Sequence, residues 1–257
     1  MIFEFYKYQA TGNDFIIIDD RDEVFDNNDY KLIKSLCERK MGIGADGLIL
    51  LRNHKSYDFE MLYFNSDGYE STLCGNGARC IISFAHTLDI ISSKSIFLAI
   101  DGIHEANIHE NDVSIKFNDI KKIQTIEENY IIDSGSPHFV TFKDNIENLN
   151  INKEGRQIRN MDKFKKEGIN VNFVSPGNLI KIRTYERGVE SETLSCGTGA
   201  VAASIALFHS GLVEDKEVDL QTQGGLLSVT FDEFNGTYKN IWLTGEADLV
   251  YIGEFEC

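Results

Sequence analysis

The 257-residue chain contains two prolines, one tryptophan and no apolar run near the roughly 20 residues that a membrane-spanning helix requires. With Pro137 and Pro176 alone, most turns fall to glycine, asparagine and aspartate. Basic residues are also scarce: 25 Lys and Arg stand against 41 Asp and Glu, a formal charge of −16 with a pI near 4.8. Such a surface repels phosphate backbones and anionic lipid, so neither nucleic acid nor membrane is expected as a partner, and a small molecule is. The start, Met1-Ile2-Phe3-Glu4-Phe5, lacks the basic-then-apolar pattern of a targeting segment, and a cytoplasmic location is expected. Cysteine is sparse and odd in number: Cys37, Cys74, Cys80, Cys196 and Cys257. That count argues against a disulfide framework, and the absence of any Cys-x-x-Cys or paired-histidine spacing argues against a metal site.

What the chain does have is a phrase written twice. Ser71-Thr72-Leu73-Cys74-Gly75-Asn76-Gly77-Ala78 is answered by Thr193-Leu194-Ser195-Cys196-Gly197-Thr198-Gly199-Ala200, at an offset of 122 positions from residue 74 to residue 196. The same offset relates Tyr63 to Tyr185 and Gly102 to Gly224. With slight drift, Gly12 to Phe15 answers Gly135 to Phe139, and Gly44 to Leu50 answers Gly168 to Val174. A length of 257 residues accommodates two domains, and the repetition predicts a duplicated fold split near residue 118: an N-terminal lobe, 1–118, carrying Cys74 and a C-terminal lobe, 119–257, carrying Cys196.

Each half reads in the same order. Strand-like runs (Glu4 to Tyr8, Phe15 to Ile18, Leu48 to Leu51, Glu60 to Phe64) surround a helical stretch from Asp29 to Arg39. The second half offers Ile131 to Ile132, Phe139 to Phe142, a polar helical stretch from Ile151 to Glu167, Asn170 to Val174 and Ile180 to Tyr185. After each duplicated cysteine comes a segment apolar nearly all round, Ala78 to Ala85 and Ala200 to Phe208, as a helix inside its lobe would be. Ser210-Gly211 is a left-handed stop for the second. Further strands follow both helices. The pattern predicts an α+β protein of two pseudo-symmetric lobes, each a mostly antiparallel sheet with one buried helix.

A cysteine at a helix N-terminus sits in the positive field of unpaired amides, which lowers a thiol pKa from about 8.5 and supplies thiolate near neutral pH. Flanking glycines leave those amides open to an anionic group such as a substrate carboxylate. Two such thiols facing one cleft suit proton transfer at both faces of an amino-acid α-carbon. One would take the proton, the other would return it, and inversion needs both because a single base cannot reach both faces.

The residues that carry this reading also carry a resemblance. Ala10-Thr11-Gly12-Asn13-Asp14-Phe15, Gly42-Ile43-Gly44-Ala45-Asp46-Gly47, Tyr63-Phe64-Asn65-Ser66-Asp67-Gly68, Cys74-Gly75-Asn76-Gly77-Ala78-Arg79-Cys80, Pro137-His138 and Tyr185-Glu186-Arg187-Gly188 through Cys196-Gly197-Thr198-Gly199-Ala200 are together similar to diaminopimelate epimerases, in order over nearly the whole chain. The resemblance implies two barrel-like lobes, each wrapped round a central helix, with a last strand of about 247–257 that crosses back to the first lobe. It implies conversion of L,L-diaminopimelate to the meso form without pyridoxal phosphate or any other cofactor or metal, in lysine and cell-wall precursor biosynthesis, by a homodimer. Carried over residue by residue, it makes Cys74 and Cys196 the acid/base pair. It places Asn13, Asn65, Asn172, Glu186 and Arg187 on the distal amino-acid end of a diamino diacid, Gly75, Asn76, Gly197 and Thr198 around the reacting carboxylate, and His138 near the reacting centre.

Two departures stand out. Ser136 precedes Pro137-His138 where many relatives have asparagine. The stretch from Glu186 to Cys196 is one residue longer, and its Val189-Glu190-Ser191-Glu192 loop can bring an extra carboxylate toward the site. His54, His86, His104, His109 and His209 carry no motif and read as structural, Cys80 reads as core, and Cys37 and Cys257 show no activating neighbours. The competing functions are a proline or hydroxyproline racemase-type enzyme, which the resemblance would give His in place of Asn76, and a non-catalytic thiol-redox or ligand-binding relative.

Overall fold

The structure is a computed structural model and describes residues 1–256; Cys257 lies outside the described residues. The chain forms two compact units, Met1–Ile115 joined by the segment from Gly245 onward, and Lys116–Thr244.

In the first unit β1 (Ile2–Ala10) and β2 (Asn13–Asp19) make an antiparallel hairpin, and α1 (Tyr30–Cys37) then leads to β3 (Gly47–Arg52), parallel to β2. The antiparallel β4 (Glu60–Asn65) follows, then α2 (Gly75–Thr87) and β5 (Lys94–Ala99), which touches β4 in parallel. An antiparallel meander of β6 (Gly102–His109) and β7 (Asp112–Phe117) completes the run. Parallel neighbours need a crossover connection, and each of the two here is supplied by a helix.

The second unit repeats the plan. A hairpin of β8 (Ile123–Ile126) and β9 (Asn129–Asp133) precedes β10 (Pro137–Phe142), and α3 (Ile151–Arg159) leads to β11 (Asn170–Ser175), parallel to β10. Antiparallel β12 (Ile180–Glu186) and the short β13 (Ser191–Thr193) come next. Then α4 (Gly197–His209) crosses to β14 (Glu217–Gln221), parallel to β12, and antiparallel β15 (Leu226–Phe234) and β16 (Thr237–Glu246) finish the copy. The last strand, β17 (Asp248–Glu256), belongs to the first unit and pairs along β1 from Ile2 opposite Glu256 to Gln9 opposite Asp248. The α+β class and the antiparallel majority are as the pattern predicts, with two parallel pairs in each unit.

Each sheet is covered on both faces. Ile16, Ile18, Leu48 and Leu50 pack against Ile33 and Leu36 of α1, while Phe15, Ile49 and Met61 turn toward Gly77 of α2. Burial on both faces is why β2 and β3 read as continuous apolar runs rather than alternating ones. The central helices pack against many strands: α2 against β1, β2, β3, β6 and β17, α4 against β9, β10, β11, β12, β14 and β15. In α4 every residue from Gly199 to Leu207 is buried, and the one hydroxyl among them, Ser204, donates to Ala200 O at 3.0 Å. Gly211, at φ +76°, follows the C-cap Ser210 in the left-handed region that glycine enters without strain.

Three elements differ from the sequence expectation. The helix expected from Ile151 to Glu167 stops at Arg159, because its inward stripe of buried Ile151 and Gly155 and half-buried Ile158 meets Asp162 where the next apolar residue belongs. The hairpin of β8 and β9 turns on Glu127-Glu128, with Glu127 at φ +55°, and lacks the Asn-Gly type of signal that marks such turns. Strand β13 has three half-buried residues, too few to carry a period.

No helix is long and apolar enough to cross a membrane, among the described residues. Since Ala203 in α4 has no exposed surface, Ala203→Leu forces extra volume into a filled interior. It should lower stability by about 1–3 kcal/mol in a urea melt; an unchanged midpoint would mean that α4 has slack around it.

Candidate functional site

Both duplicated cysteines are N-caps. Cys74 precedes α2 with φ −92° and ψ 121°, and Cys196 precedes α4 with φ −135° and ψ 109°. Neither side chain caps its own helix, and neither helix has an acidic residue in its first turn, so the positive end of each dipole is left uncompensated by a local side chain. Cys196 is 9 % exposed and Cys74 somewhat more open. The other two described cysteines differ: Cys37 and Cys80 are buried, and burial pushes the Cys37 thiol up to about 12 and that of Cys80 higher still.

In the first unit, the loop between β1 and β2 and the first turn of α2 bring Asn13 and Asn76 to Cys74. Cys74 Sγ lies 3.6 Å from Asn13 Oδ1, to which Asn76 Nδ2 also donates at 3.2 Å. Asn76 is held in turn by Arg79, one turn along α2 and wholly buried, whose Nη2 donates to Asn76 Oδ1 at 3.0 Å and to Thr11 Oγ1 at 3.1 Å. On its other side Asn13 Nδ2 donates to Asp46 Oδ2 at 2.5 Å. Asp46 and Asp14 share Arg39 through bonds of 2.6 Å each, and Lys7 pairs with Asp14 at 2.7 Å. Burial would raise the Asp14 carboxyl, but hydrogen bonds from Arg39 and Lys7 outweigh it and hold it down at about 2. Asn65 is exposed at the end of β4 and accepts from Tyr63 OH at 2.9 Å.

In the second unit, His138 near the start of β10 is fully buried between two partners. Asn172 Nδ2 donates to its Nδ1 at 2.9 Å, and its Nε2 is 2.9 Å from Thr198 Oγ1. The Thr198 hydroxyl lies 3.5 Å from Cys196 Sγ. Asn172, also fully buried, spends its second amide hydrogen on Phe139 O at 3.3 Å and accepts from Thr184 Oγ1 at 2.9 Å, a position from which it orients His138. Burial, with the positive charge of Arg187, pushes His138 down to about 3 against the opposing Asn172 contact, so the ring is neutral at neutral pH. Gly75 and Gly197 open the two helices, and Glu186 Oε1 accepts from Thr193 Oγ1 at 2.5 Å.

Arg187 is exposed and reaches Glu167 O at 3.2 Å and Ser136 Oγ at 3.3 Å. The short Ser136 is thus used directly: Asn170 Nδ2 donates to it at 2.8 Å while Asn170 Oδ1 accepts the Arg187 amide at 2.9 Å. The carboxylates of the lengthened loop are committed within the unit, Glu190 to Arg159 and Tyr185, Glu192 to Arg183, so the extra length brings no unpaired carboxylate. Sequence reasoning overlooked Arg79, Asp46, Asn170 and Thr184, although the first two lie inside the quoted motifs; the signal was a charged residue in a segment otherwise built to be buried. Among the described residues no group of three or more His, Cys, Asp or Glu is placed to hold a metal ion.

The family model described as diaminopimelate epimerase matches residues 5–119 and 130–250. The protein of Flavobacterium psychrophilum named diaminopimelate epimerase is 49% identical over 251 residues, covering 96% of this chain and 97% of that one. The Aquifex aeolicus protein of the same name is 39% identical over 97% of this chain and 96% of its own. Among solved structures, a Bacillus anthracis phenazine biosynthesis protein of the PhzF family superposes with a TM-score of 0.77 at 14% identity over the full length of both chains, a likeness of fold.

Two outcomes follow from unit two. A Cβ on Gly199 would sit 2.4 Å from Asn172 Oδ1, whereas one on Gly77 would meet nothing nearer than Ile49 Cδ1 at 3.2 Å. Gly199→Ala should therefore cost about 1–3 kcal/mol in a urea melt while Gly77→Ala is close to neutral, since helix propensity offsets its tighter fit; equal losses would contradict the close approach. The second outcome concerns pH. The folded His138 value of about 3 lies below the unfolded value of about 6.5, so its contribution is complete above pH 6.5 and is lost as pH falls toward 3. Stability should fall by up to about 1.4 kcal/mol per pH unit in that window, and His138→Gln should flatten the fall.

Proposed function

The chain belongs to the diaminopimelate epimerase family, and from that premise we propose that Cys74 and Cys196 are the acid/base pair with which it interconverts L,L- and meso-diaminopimelate without pyridoxal phosphate or metal. The enzyme is an isomerase acting on an amino acid. The observation that carries the proposal is the duplication of one device: a glycine-flanked cysteine as N-cap of a buried, acid-free helix start, once in each unit.

The difficulty of the reaction is the carbanion, which forms beside a carboxylate. Helix amides at Gly75, Asn76, Gly197 and Thr198 are the donors we assign to that carboxylate, where they stabilise the negative charge as it spreads onto the oxygens. A thiolate removes the α-proton and becomes a thiol; the other thiol delivers its proton to the opposite face and becomes a thiolate. One turnover therefore leaves the two sulfurs with exchanged protonation. Asn13, Asn65, Glu186 and Arg187 are assigned to the distal end; Asn172, fully buried and bonded through both its nitrogen and its oxygen, acts instead by holding His138 at the reacting centre. A guanidinium matches a carboxylate with a two-pronged donor, and a carboxylate accepts an ammonium. Asn76 where a proline racemase-type enzyme would have His supports the longer substrate.

We assign the enzyme to the cytoplasm, to lysine and cell-wall precursor synthesis, and to a homodimer. Leu249, Val250, Tyr251 and Ile252 of β17 form a consecutive run of exposed apolar side chains that a second copy would cover.

Cys74→Ala and Cys196→Ala should each reduce epimerisation by about 10²–10⁴-fold, the range lost with a general acid or base. In deuterated water, wild-type enzyme acting on one stereoisomer should place deuterium in the inverted product well before the remaining substrate. Early, equal labelling of both would point to a single exchanging base and sink the two-base reading.

A further inference from the structure

The two sulfurs are approached by hydrogen-bond chains of opposite polarity, and in each chain an anchor that can act in one sense only sets the direction as far as the last group before the sulfur. At Cys74 the anchors are Arg79 and Asp46. A guanidinium only donates, so Asn76 must turn its oxygen to Arg79 and its NH₂ to Asn13. A carboxylate only accepts, so Asn13 must give its NH₂ to Asp46. Both constraints leave Asn13 Oδ1 as the atom beside Cys74 Sγ, an acceptor that favours S–H.

At Cys196 the anchor is the Phe139 carbonyl, which fixes the NH₂ of Asn172 and so its donation to His138 Nδ1. The ring is neutral and therefore has one hydrogen, which must lie on Nε2 and point at Thr198 Oγ1. The Thr198 hydroxyl, already accepting, has its own hydrogen for Cys196 Sγ, a donor that favours S⁻.

We propose that these opposed chains make the two cysteines inequivalent in the resting enzyme: Cys196 holds the thiolate, with Thr198 as its positioning donor, and Cys74 holds the thiol, with Asn13 as its positioning acceptor. The inference rests on the acid/base assignment above and deepens it, since the resting enzyme is then poised for the stereoisomer whose α-hydrogen faces Cys196, and the other stereoisomer reacts from the state with exchanged protonation. The charged surroundings are consistent. Around Cys74, the carboxylates of Asp14, Asp46 and Asp101 oppose a second anion. Lys7 and Arg39 are engaged with Asp14 and Asp46, Tyr8 and Cys80 are held neutral by burial, and Asp248 is bonded to Gln9. The buried Arg79 cation, with Nε and Nη1 unbonded, acts the other way: its charge bears directly on Cys74, while its hydrogen bonds reach the sulfur through Asn76 and Asn13 and end there on an acceptor. At the Cys196 end, His138 is neutral, Arg187 is a cation, and Glu186, Glu190 and Glu192 are bonded to Thr193, Arg159 and Arg183.

The test is the pH dependence of iodoacetamide alkylation, read separately by mass spectrometry for the peptides containing Cys74 and Cys196 at less than one modification per chain. Midpoints are compared rather than absolute rates, because the two sulfurs differ in exposure. In the wild-type enzyme the Cys196 midpoint should lie about one pH unit or more below that of Cys74, a roughly tenfold or greater difference in thiolate near neutral pH. Thr198→Val should raise the Cys196 midpoint by about as much and leave Cys74 nearly unmoved, and Thr198→Ser, which keeps the hydroxyl, should restore it. Equal or reversed wild-type midpoints would overturn the proposal, as would a folded Thr198→Val protein whose Cys196 midpoint stays put; the wild-type arm decides even where the valine variant fails to fold. Loss of activity in the cysteine-to-alanine variants together with reversed midpoints would sink this inference and leave the two-base reading standing.

Discussion

The chemistry of each unit depends on a helix that has no water-facing side along most of its length. An α-helix leaves its first amides without intrahelical partners, and when the rest of the helix is enclosed by a sheet those amides are the polar groups that its buried end still presents. Enclosure also thins the solvent that would screen the dipole. An Ala-rich segment such as Ala200 to Leu207 is therefore more than filler: its small, apolar, high-propensity residues let strands approach from many directions and bring the cysteine turn to the end of a rigid rod. The outer helices α1 and α3 play a different part. They cover the second face of the sheet and make the parallel crossovers that place the Asn13 loop and the His138 strand beside the cysteine turns.

Duplication supplied two similar units, but a two-base reaction at one carbon needs partners that differ in protonation at any moment. The copies differ in the side chains that stand beside the two sulfurs. Asn76 in one is Thr198 in the other, one carrying an amide that hands its NH₂ to Asn13, the other a hydroxyl set between His138 Nε2 and Cys196 Sγ. Asn13 corresponds to the neighbourhood of Ser136, Pro137 and His138, so an amide in the first copy stands against an imidazole in the second. The backbone frame is common to both units, and the difference resides in two or three side chains and the anchors that orient them.

Much of this was legible in the residues. The Cys-Gly-x-Gly phrase repeated at one offset predicted two helices with cysteine N-caps, and both helices begin at the residue after the cysteine. Drifted matches at Gly12 and Gly135 fell on the turns before β2 and β10, both at positive φ. The parallel pairings were not legible, because a continuously buried strand such as Leu48 to Leu51 looks alike in either sense and only the crossover helix distinguishes them. Side-chain networks were hidden for another reason. Arg79 sits in a run that periodicity assigns to the core, and nothing in a one-dimensional pattern says that its side chain would bond Thr11, 68 positions earlier, and Asn76.

Arg79 also bears on why the site is built on a helix end rather than on a loop. A guanidinium with no exposed surface and two unbonded nitrogens is costly to bury, several kcal/mol in comparable settings. Its bonded neighbours, Asn76 on the same helix and Thr11 at the turn between β1 and β2, are parts of the frame that holds Asn13 against Cys74. The cost is sustained because the apolar packing of α2, from Ala78 to Phe84, fixes the helix regardless of what the arginine contributes. A mobile loop would move away from an unfavourable group of this kind, whereas a packed helix keeps it in place, and the amide polarity at the sulfur is kept with it.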